Sequence, residues 1–432
     1  MAEVCPFRGI RYNKGIVGDL AQVICPPYDI ITPEERKLYY EKSDYNAIRL
    51  EYPLTLPSDS PQSSTYTRAA STLQQWSEEG ILQVDDCPAF YLHDHHFDYL
   101  GKKRARRGLI AQVKLQPWGS GIYPHEETFS KAKSDRLQLM RACQASFSPL
   151  FSLYQDPEQK ITPILAEASQ AEPVIDITNS GERHVVWAIT DSEFQWQIKT
   201  SLAAQPFYMA DGHHRYETAL AYQQERAQVI ASGAKQSLTG KEAFNYVMME
   251  LVDFSDPGLV VFPLYRLVRG ISPSILARLR NQLEDFFTLE FVPLTTESYQ
   301  LSADSCLGVL GLESECLVCL KQRQGVSIEA MIPGNRSQAY REFNVSLLNH
   351  AILENMLGLA PDDEGIAYTV NTSEAYQRVR EKKYQIAFLL SPPQPEVVKD
   401  IADARDRLPR KSTYFYPKLP AGLIMNYLGE KS

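Results

Sequence analysis

The stretch at residues 206–215 joins the end of one predicted element to the start of another. An apolar run at 206–209 is followed by Ala-Asp-Gly-His-His-Arg at 210–215, and residues 216–227 are rich in helix-forming types. This order predicts a strand that ends and a helix that begins within a few residues. A helix N-terminus carries unpaired N–H groups and partial positive charge, so it favours anions. We therefore interpret the segment as an anion-handling site with an acid beside it, in a fold that joins strands to helices.

Apolar runs with a period of two alternate with helical patterns along the chain, which predicts an α+β (mixed α/β) fold. Strands are expected at 89–92, 108–113, 243–252 and 259–267 and twice within 174–190, and helices at 65–76 and 130–145. Thr32 before Pro33 predicts a helix N-cap. The strands at 89–92 and 108–113 are expected to pair across a basic tip at 102–107. Because the sequence texture changes near residue 270, we predict two domains, at 1–270 and 271–432.

The composition is that of an ordinary globular protein, with 432 residues, 44% hydrophobic and 22% charged. The net charge of -9 disfavours nucleic acid as the main partner, since such binding needs a basic surface. No apolar run reaches the ~18 residues of a membrane span, and the first residues do not resemble a signal peptide. Seven scattered cysteines fit a reducing compartment better than a disulfide framework. We therefore expect a cytoplasmic protein that binds a small molecule and has no membrane partner.

The acid and imidazoles of the 210–215 segment define the first candidate site. Successive helical residues point about 100° apart, so His213 and His214 do not easily grip one ion from the same face. We expect one imidazole and Arg215 to bind phosphate, while the other imidazole packs or accepts a proton. Asp211, at the predicted N-cap, would ligate Mg²⁺ or orient a histidine. The alternative is a capping aspartate followed by a solvated basic helix start.

A second candidate site combines carboxylates with a cationic helix. Glu126 and Glu127 precede a predicted helix on which Lys133 and Arg136 fall roughly on one side. A carboxylate upstream of such a surface resembles a general base beside a phosphate-binding site. The sequence leaves open which glutamate would be the base, and a solvated charged face is the alternative interpretation.

Two further segments supply candidate pocket residues. Tyr28 and Asp29 follow two prolines, which stiffen the loop and fix where these side chains point. Close to residue 415, tyrosine and phenylalanine are interspersed with lysine, a mixture that suits an anionic or planar ligand. The candidates in that segment are Lys411, Ser412, Tyr416 and Lys418. A plain turn at the first segment and a packed strand at the second are about as well supported.

Histidine and cysteine spacings raise two metal-site hypotheses. On a strand His93 and His95 would share one face as an H-x-H pair, but an exposed polar strand is the favoured interpretation. Cys316 and Cys319 have C-x-x-C spacing without a second pair, so core packing is favoured there. Phosphate-loop, dinucleotide-binding and G-x-S-x-G motifs do not occur in the sequence, which disfavours the corresponding enzyme classes.

Five segments, taken in order, resemble the bacterial and archaeal family catalogued as domain of unknown function 1015. They are 25–29 (CPPYD), 46–50 (NAIRL), 124–126 with 133–136, 210–215 (ADGHHR) and 411–418 (KSTYFYPK). The resemblance runs from about residue 5 to about residue 424. The chain departs from the family pattern at Leu264 and Tyr265, where a Thr-His pair is expected before Arg266. A polar contribution from that strand is therefore not expected here.

The Asp-Gly-His-His-Arg element also resembles that of the ParB/sulfiredoxin-like fold. This resemblance implies such a core with large insertions and a smaller C-terminal α/β region whose tail could return to the site. The fold includes free serine kinases, which phosphorylate the hydroxyl of L-serine with a nucleotide or pyrophosphate donor. The resemblance implies a catalytic set of Glu126, Asp211 and His213, a phosphate-binding set of Gly212, His214, Arg215, Lys133 and Arg136, and Mg²⁺ on Asp211.

Three functions follow from this resemblance. The leading one is a small-molecule kinase, a phosphotransferase with an alcohol acceptor whose favoured substrate is free L-serine. The others are a ParB-like DNA-associated or nuclease-like protein and a non-catalytic phosphate- or nucleotide-binding protein, because a fold shared so widely does not by itself fix function. The phosphate donor and the oligomeric state stay open at this point.

Overall fold

The chain forms two compact units. The computed structural model describes residues 3–60, 63–128, 130–203, 205–232, 239–294, 301, 307–360 and 363–429, with side chains of the helix at Ser130 described from Lys133 onward. The first unit comprises Met1–Pro124, Thr128–Leu259 and Pro417–Ser432, and the second comprises His125–Glu127 and Val260–Tyr416. Within the described ranges, no helix combines the length and apolarity that a membrane crossing requires.

The first unit is built around one large sheet. Its strands are β1 (Val4–Cys5), β2 (Ile10–Tyr12), β3 (Leu82–Val84), β4 (Phe90–Tyr99), β5 (Lys102–Lys114), β6 (Ile122–Tyr123), β7 (Ala145–Ser146), β8 (Leu150–Tyr154), β9 (Ile175–Asn179), β10 (Glu182–Ile189), β11 (Phe207–Asp211) and β12 (Tyr246–Asp253). Its helices are α1 (Lys14–Val17), α2 (Pro33–Lys42), α3 (Ile48–Glu51), α4 (Thr65–Glu78), α5 (Ser130–Cys143), α6 (Ile161–Ala168), α7 (Ser192–Leu202) and α8 (His213–Ser232). Short 3-10 turns lie at Leu20–Gln22, Tyr28–Ile30 and Ala243–Asn245.

The large sheet is mixed. Among the described residues its nine strands follow the order β6-β11-β8-β12-β5-β4-β10-β9, with β1 paired to β5. β11 runs parallel to β6 and β12 parallel to β8, whereas the other pairs are antiparallel. This sheet and its helices confirm the predicted mixed α/β class.

Alternating residues of the central strands enter two different apolar layers, as a period of two requires. On one face Leu92 and Leu109 pack with residues of α6, α7 and α8. On the other face Tyr91 and Ile110 pack with residues of α4 and α5. Because both faces are covered, the central strands are buried along most of their length.

The hairpin of β4 and β5 differs from the prediction. Its turn lies at Leu100 and Gly101, whose φ angles of 50° and 71° are left-handed, so the basic residues 102–107 lie in β5 and not at the tip. The prediction of an exposed polar strand at His93 and His95 is also wrong, because both side chains are buried in β4. Polar partners on neighbouring strands offset the desolvation of these side chains.

Two helices begin close to where the sequence places them. α2 starts after Thr32 with a capping box, because the Thr32 hydroxyl accepts from Glu35 N and the Glu35 carboxylate accepts from Thr32 N. α8 begins at His213, directly after the strand that ends at Asp211, and continues for 20 residues. The predicted strand-to-helix corner is therefore present.

The second unit contains a separate sheet. Its strands are β13 (Val260–Phe262), β14 (Tyr265–Val268), β15 (Phe287–Pro293), β16 (Leu307–Leu310), β17 (Cys316–Gln322), β18 (Ile366–Thr369), β19 (Ile386–Leu390) and β20 (Tyr414–Tyr416). Its helices are α9 (Pro273–Phe286), α10 (Gln338–Glu342), α11 (Asn344–Leu347), α12 (Thr372–Arg380) and α13 (Glu396–Asp403), with a 3-10 turn at Glu329–Met331 and a π-helix at Leu348–Met356. The chain then returns to the first unit, where β21 (Asn426–Tyr427) pairs with β7.

Pro263 divides the predicted strand at 259–267 into β13 and β14. β13 pairs with β20, whereas β14 lies between β18 and β19 in a sheet of order β15-β17-β16-β19-β14-β18. Proline has no N–H to donate to a ladder, so it interrupts a strand at this point. Cys319 packs in an apolar cluster of this unit, in line with the core-packing interpretation of the C-x-x-C pair.

Candidate functional site

The site is built on the corner between β11 and α8. The ladder between β11 and β8 shifts register between Met209 and Asp211, and Gly212 follows with φ +93. A Cβ at Gly212 would lie 3.0 Å from Leu150 Cγ and 3.2 Å from Arg215 Nη2. Glycine is therefore required here for two reasons, the left-handed backbone and the space taken by the Arg215 guanidinium.

Asp211 ends β11 between two cations. Its Oδ1 accepts from Lys418 Nζ at 2.6 Å and its Oδ2 from Arg215 Nη2 at 3.2 Å. Burial alone would raise the pKa of Asp211, but the charges of Lys418 and Arg215 outweigh burial and lower this pKa to about 2. The carboxylate is consequently ionised at any physiological pH.

Arg215 connects Asp211 to a buried glutamate. Its Nη1 donates to Ser148 Oγ at 2.8 Å and to Pro149 O at 3.0 Å. The Ser148 hydroxyl in turn donates to Glu51 Oε1 at 3.3 Å, and Glu51 is only 4% exposed. Burial lowers the pKa of Arg215, but Asp211 and other carboxylates raise this pKa by more. The net shift is upward, so the guanidinium stays charged. A continuous polar path therefore runs from Asp211 to Glu51.

Tyr28 and Arg136 lie on the far side of Glu51. The Arg136 guanidinium stacks over the Tyr28 ring at 4.1 Å and donates to Glu51 O at 2.6 Å. Tyr28 N donates to Glu51 Oε1 at 3.5 Å, and burial raises the pKa of the Tyr28 hydroxyl. The negative charge of Asp29 acts on Arg215.

The first unit thus gathers half of the predicted site residues around one charged centre. They are Tyr28, Asp29, Arg136, Asp211, Gly212, Arg215 and Lys418. Sequence reasoning missed Glu51 and Ser148, which link them. The only available signal for Glu51 is its place directly after the 46–50 motif, and Ser148 has none beyond the adjacent Pro149.

The two consecutive histidines differ in their surroundings. His213 is 7% exposed, and its ring centroid lies 6.2 Å from that of Trp118. A positive charge on His213 lowers the pKa of Asp211, which shows that the imidazole lies near the carboxylate. His214 is half-buried, and its carbonyl accepts from Thr218 Oγ1. His213 therefore lies beside the Asp211 carboxylate.

Lys133 has a carboxylate partner in the structure. Its Nζ donates to Glu217 Oε2 at 2.7 Å, joining α5 to α8. Glu217 also accepts from Thr128 Oγ1 and Trp118 Nε1. These three donors outweigh burial and lower the pKa of Glu217. Lys133 therefore links α5 to α8 through Glu217, which lies one helical turn after His213.

The remaining predicted residues belong to the second unit. Glu126 Oε1 accepts from Lys411 N at 2.6 Å, while Glu127 pairs with Arg336 at 3.6 Å. Ser412 is buried and donates to Pro409 O. The Tyr416 ring stacks on that of Phe262 at 4.6 Å. Within this unit the structure therefore brings together two predicted residues, Glu126 and Lys411.

The centre around Asp211 has the chemistry of an anion-binding corner. Arg215 and Lys418 supply charge-assisted donors, and α8 directs its positive end to the same place. Mg²⁺ sites often use one or two carboxylates and complete their shell with water and phosphate oxygens. Asp211 is the ionised carboxylate of this corner, and Lys418 and Arg215 hold its two oxygens in the structure.

Several solved structures are distantly similar to the chain. A free serine kinase in complex with AMP is 12% identical with a TM-score of 0.33, over 71% of this chain and 86% of that chain. A conserved hypothetical protein from Pyrococcus furiosus is 12% identical with a TM-score of 0.33, over 73% and 93%. SbnI with C-terminal truncation from Staphylococcus aureus is 8% identical with a TM-score of 0.33, over 72% and 84%. No curated protein matches the sequence.

One protein-family model matches most of the chain. The match covers residues 4–347, and the family is described as "Protein of unknown function (DUF1015)". The chain therefore belongs to this family, as its ordered motifs predict.

Proposed function

We propose that this family member transfers a phosphoryl group from a nucleotide or pyrophosphate to a hydroxyl of a small molecule, with free L-serine as the favoured acceptor. The observation that carries the proposal is Asp211, an ionised carboxylate held between Lys418 and Arg215 at the start of α8. Phosphoryl transfer depends mainly on positioning and charge neutralisation, with little covalent chemistry from the protein. This corner supplies both requirements.

Lys418 and Arg215 are the proposed ligands of the donor phosphates. Each already binds one oxygen of Asp211, and a phosphate offers stronger negative charge and more acceptor oxygens. Gly212 keeps the backbone approach to the helix start clear, and His213 or His214 would donate a further hydrogen bond. Asp211 would hold Mg²⁺, which neutralises phosphate charge when bound.

The polar groups beyond Arg215 support an amino acid as the acceptor. A cavity beside Arg215 has Glu51, Arg136 and Ser148 among its lining residues, and apolar side chains such as Phe147 complete its wall. A free amino acid carries one carboxylate and one ammonium group. Arg136 and Glu51 are complementary to these two charges, and a small cavity favours a short side chain such as that of serine.

Two carboxylates compete for the role of general base. Glu126 is proposed from the motif match, and its carboxylate is held by Lys411 N. Glu51 is the second candidate because its Oε1 is hydrogen-bonded to Ser148, which binds Arg215. A base has to reach the acceptor hydroxyl within hydrogen-bond distance. The variants Glu126→Gln and Glu51→Gln therefore separate them at saturating acceptor, because replacing the base lowers kcat, whereas losing an acceptor ligand raises KM.

The test is direct product detection. The purified chain is incubated with Mg²⁺ and L-serine and, in turn, ATP, ADP or pyrophosphate, and phosphoserine is measured by mass spectrometry. Turnover with one donor supports the proposal. Absence of phosphoserine with every donor at high enzyme concentration rules out serine, and a panel of other small alcohols then tests the wider class.

A matched pair of variants separates binding from turnover. Asp211→Asn keeps Lys418 and Arg215, so it should bind pyrophosphate at least as well as the wild type and lose turnover by about 100-fold or more. Asp176→Asn removes a carboxylate that pairs with Arg183 on an exposed edge. This variant should leave pyrophosphate binding and turnover unchanged. If the wild type binds donors but phosphorylates neither serine nor any alcohol of the panel, the non-catalytic nucleotide-binding function is favoured.

A further inference from the structure

We propose that the first unit holds a resident divalent transition-metal ion of the Zn²⁺ class, bound by His93, His95 and His184. These side chains lie on the sheet face that also carries Arg106 and Glu250. His93 and His95 are alternate residues of β4, and His184 is paired with His95 across β10. All three are buried, with exposures of 0%, 0% and 3%. This site is independent of the proposed phosphoryl transfer.

The spacing of the three imidazoles fits one metal ion. Each ring offers a nitrogen, and these nitrogens lie within 4.8 Å of one another. His93 Nε2 and His184 Nδ1 are 3.1 Å apart. Two nitrogens bound tetrahedrally to Zn²⁺ at about 2.0–2.1 Å are about 3.3 Å apart, so the His93–His184 pair already has this spacing and the His95 ring would move toward it.

Two carboxylates lie within hydrogen-bond distance of two of the imidazoles. Glu250 Oε2 lies 2.9 Å from His93 Nδ1, and Glu182 Oε2 lies 2.8 Å from His95 Nε2. Metal-binding histidines usually donate their second ring N–H to a carboxylate or carbonyl, which fixes the tautomer and turns the other nitrogen toward the metal. With Nδ1–H of His93 donated to Glu250, its Nε2 presents a lone pair to the centre of the cluster.

A glycine makes the first of these contacts possible. Gly108 lies opposite His93 in the ladder between β4 and β5, and Glu250 reaches His93 from β12 on the other side of β5. A Cβ at Gly108 would come within 2.5 Å of Glu250 Cγ and Oε1. Glu250 is fully buried, and its Oε1 has no hydrogen-bond partner among the described residues. Burying a carboxylate is energetically unfavourable, and the hydrogen bond that Glu250 makes to His93 fixes the orientation of that imidazole.

A hydrogen bond between two of the rings would have to be replaced when an ion binds. If His93 donates its Nδ1–H to Glu250, the proton between His93 Nε2 and His184 Nδ1 belongs to His184. A divalent ion would need the lone pairs of both nitrogens, so the proton of neutral His184 would have to move from Nδ1 to Nε2, with no net proton release.

Arg106 narrows the range of ions that this site would accept. Its guanidinium is buried, and its Nη1 donates to Pro417 O at 3.0 Å. Its Nη2 lies 3.4 Å from His95 Nδ1, the nitrogen that remains for a metal when Nε2 faces Glu182, so the guanidinium has to turn away from His95 when an ion binds. This positive charge opposes any cation, although Glu250 acts on it with the opposite sign. Only ions with strong affinity for imidazole, such as Zn²⁺, Co²⁺, Ni²⁺ or Cu²⁺, should bind, whereas Mg²⁺ and Ca²⁺ should not.

The test begins with the metal content of the wild-type protein. The full chain is measured by plasma mass spectrometry, stripped with a chelator, and then titrated with Zn²⁺ or Co²⁺ alone. We expect one equivalent to bind, with the visible absorption of tetrahedral Co²⁺, and an excess of Mg²⁺ should not displace it. If the stripped wild type binds neither ion at this stoichiometry, the proposal is overturned.

Three variants assign the binding to these residues. His184→Ala should lose the Co²⁺ absorption, and Glu250→Gln should weaken binding by about 10- to 100-fold through His93. The matched control is His96→Ala, which removes an imidazole on the opposite face of β4 and should bind like the wild type. Circular dichroism of each stripped variant checks its fold. Equal loss in His96→Ala, or full retention by a folded His184→Ala, would contradict the assignment.

Discussion

Replacing Lys418 with methionine tests the charge balance at Asp211. The substitution removes the ammonium group 2.6 Å from Asp211 Oδ1 and keeps an unbranched side chain of similar length. Arg215 then remains as the cation that donates a hydrogen bond to the Asp211 carboxylate. The variant should therefore leave a partly compensated charge in a poorly solvated position.

The magnitude follows from the pKa of Asp211. The ordinary value of 3.8 falls to about 2 in the folded protein, and this difference corresponds to about 2 kcal/mol of stability. Because the folded pKa is depressed, that stability is present above pH 3.8 and is lost as the pH falls toward 2. Removing one partner of a buried pair costs about 3–5 kcal/mol, so we expect Lys418→Met to lower the unfolding free energy by about 2–4 kcal/mol at neutral pH.

Urea unfolding monitored by tryptophan fluorescence is the appropriate assay. Trp76, Trp118, Trp187 and Trp196 all belong to the first unit, so the signal reports the unit that contains Lys418. The difference between variant and wild type should narrow as the pH falls through the acidic range toward 2, because Asp211 takes up a proton at a higher pH in the variant than in the wild type.

The control is Lys114→Met, which removes a lysine paired with Glu3 at 3.0 Å where both side chains are more than a third exposed. That change should cost less than about 0.5–1 kcal/mol. If Lys418→Met costs no more than the control, or if its cost is the same at every pH, the description of Asp211 is wrong.

Three further predictions concern single positions. Gly212→Ala should lower the unfolding free energy by about 1–3 kcal/mol and weaken pyrophosphate binding, as measured by urea unfolding and calorimetry. Gly119 has φ +83 and open space where a Cβ would lie, so Gly119→Ala should show the strain without the binding defect. Glu51→Gln should raise the KM for the acceptor more than the KM for the donor, as measured in steady-state kinetics. Gly108→Ala should displace Glu250, lower stability by about 1–3 kcal/mol and weaken Co²⁺ binding, as measured by unfolding and absorption.

Each of these predictions has a contrary result. Equal binding defects in the two glycine variants would remove the special role of Gly212. An unchanged KM for the acceptor in Glu51→Gln would exclude Glu51 from that pocket. Unaltered stability in Gly108→Ala would mean that Glu250 does not occupy the space described.

The corner at Asp211 could be predicted because its signals are local. An apolar run, a glycine and a helix-forming segment follow one another within about twenty residues, and each depends on backbone preferences of the residues themselves. The capping box at Thr32 is predictable for the same reason. The family match over residues 4–347 then confirms the suspected family.

The family resemblance names several residues around that corner, but their contacts could not be predicted, because they join distant parts of the chain. Lys418 reaches Asp211 across 207 positions, and Ser148 reaches Glu51 across 97. Pairing between strands decides such contacts, and a single sequence carries no direct record of it. Lys133 shows the converse, since its local helical position is predicted correctly but its partner Glu217 is not.

The prediction for the histidines of β4 was wrong for a related reason. His93 and His95 alternate with Asp94 and precede His96, a composition typical of an exposed strand. Their burial depends on Glu250, which comes from β12, and on Glu182, from β10. A polar stretch can enter a core only when such partners are supplied, and those partners are visible only after the sheet is formed.

The central claim is that an anion binds where β11 meets α8, and calorimetric titration with pyrophosphate tests it most directly. With Mg²⁺ present, the wild type should bind one equivalent, and Lys418→Met should weaken this binding at least about tenfold, which corresponds to about 1.4 kcal/mol. The Lys114→Met control should bind like the wild type. No binding by the wild type, or equal binding by Lys418→Met, would contradict the account.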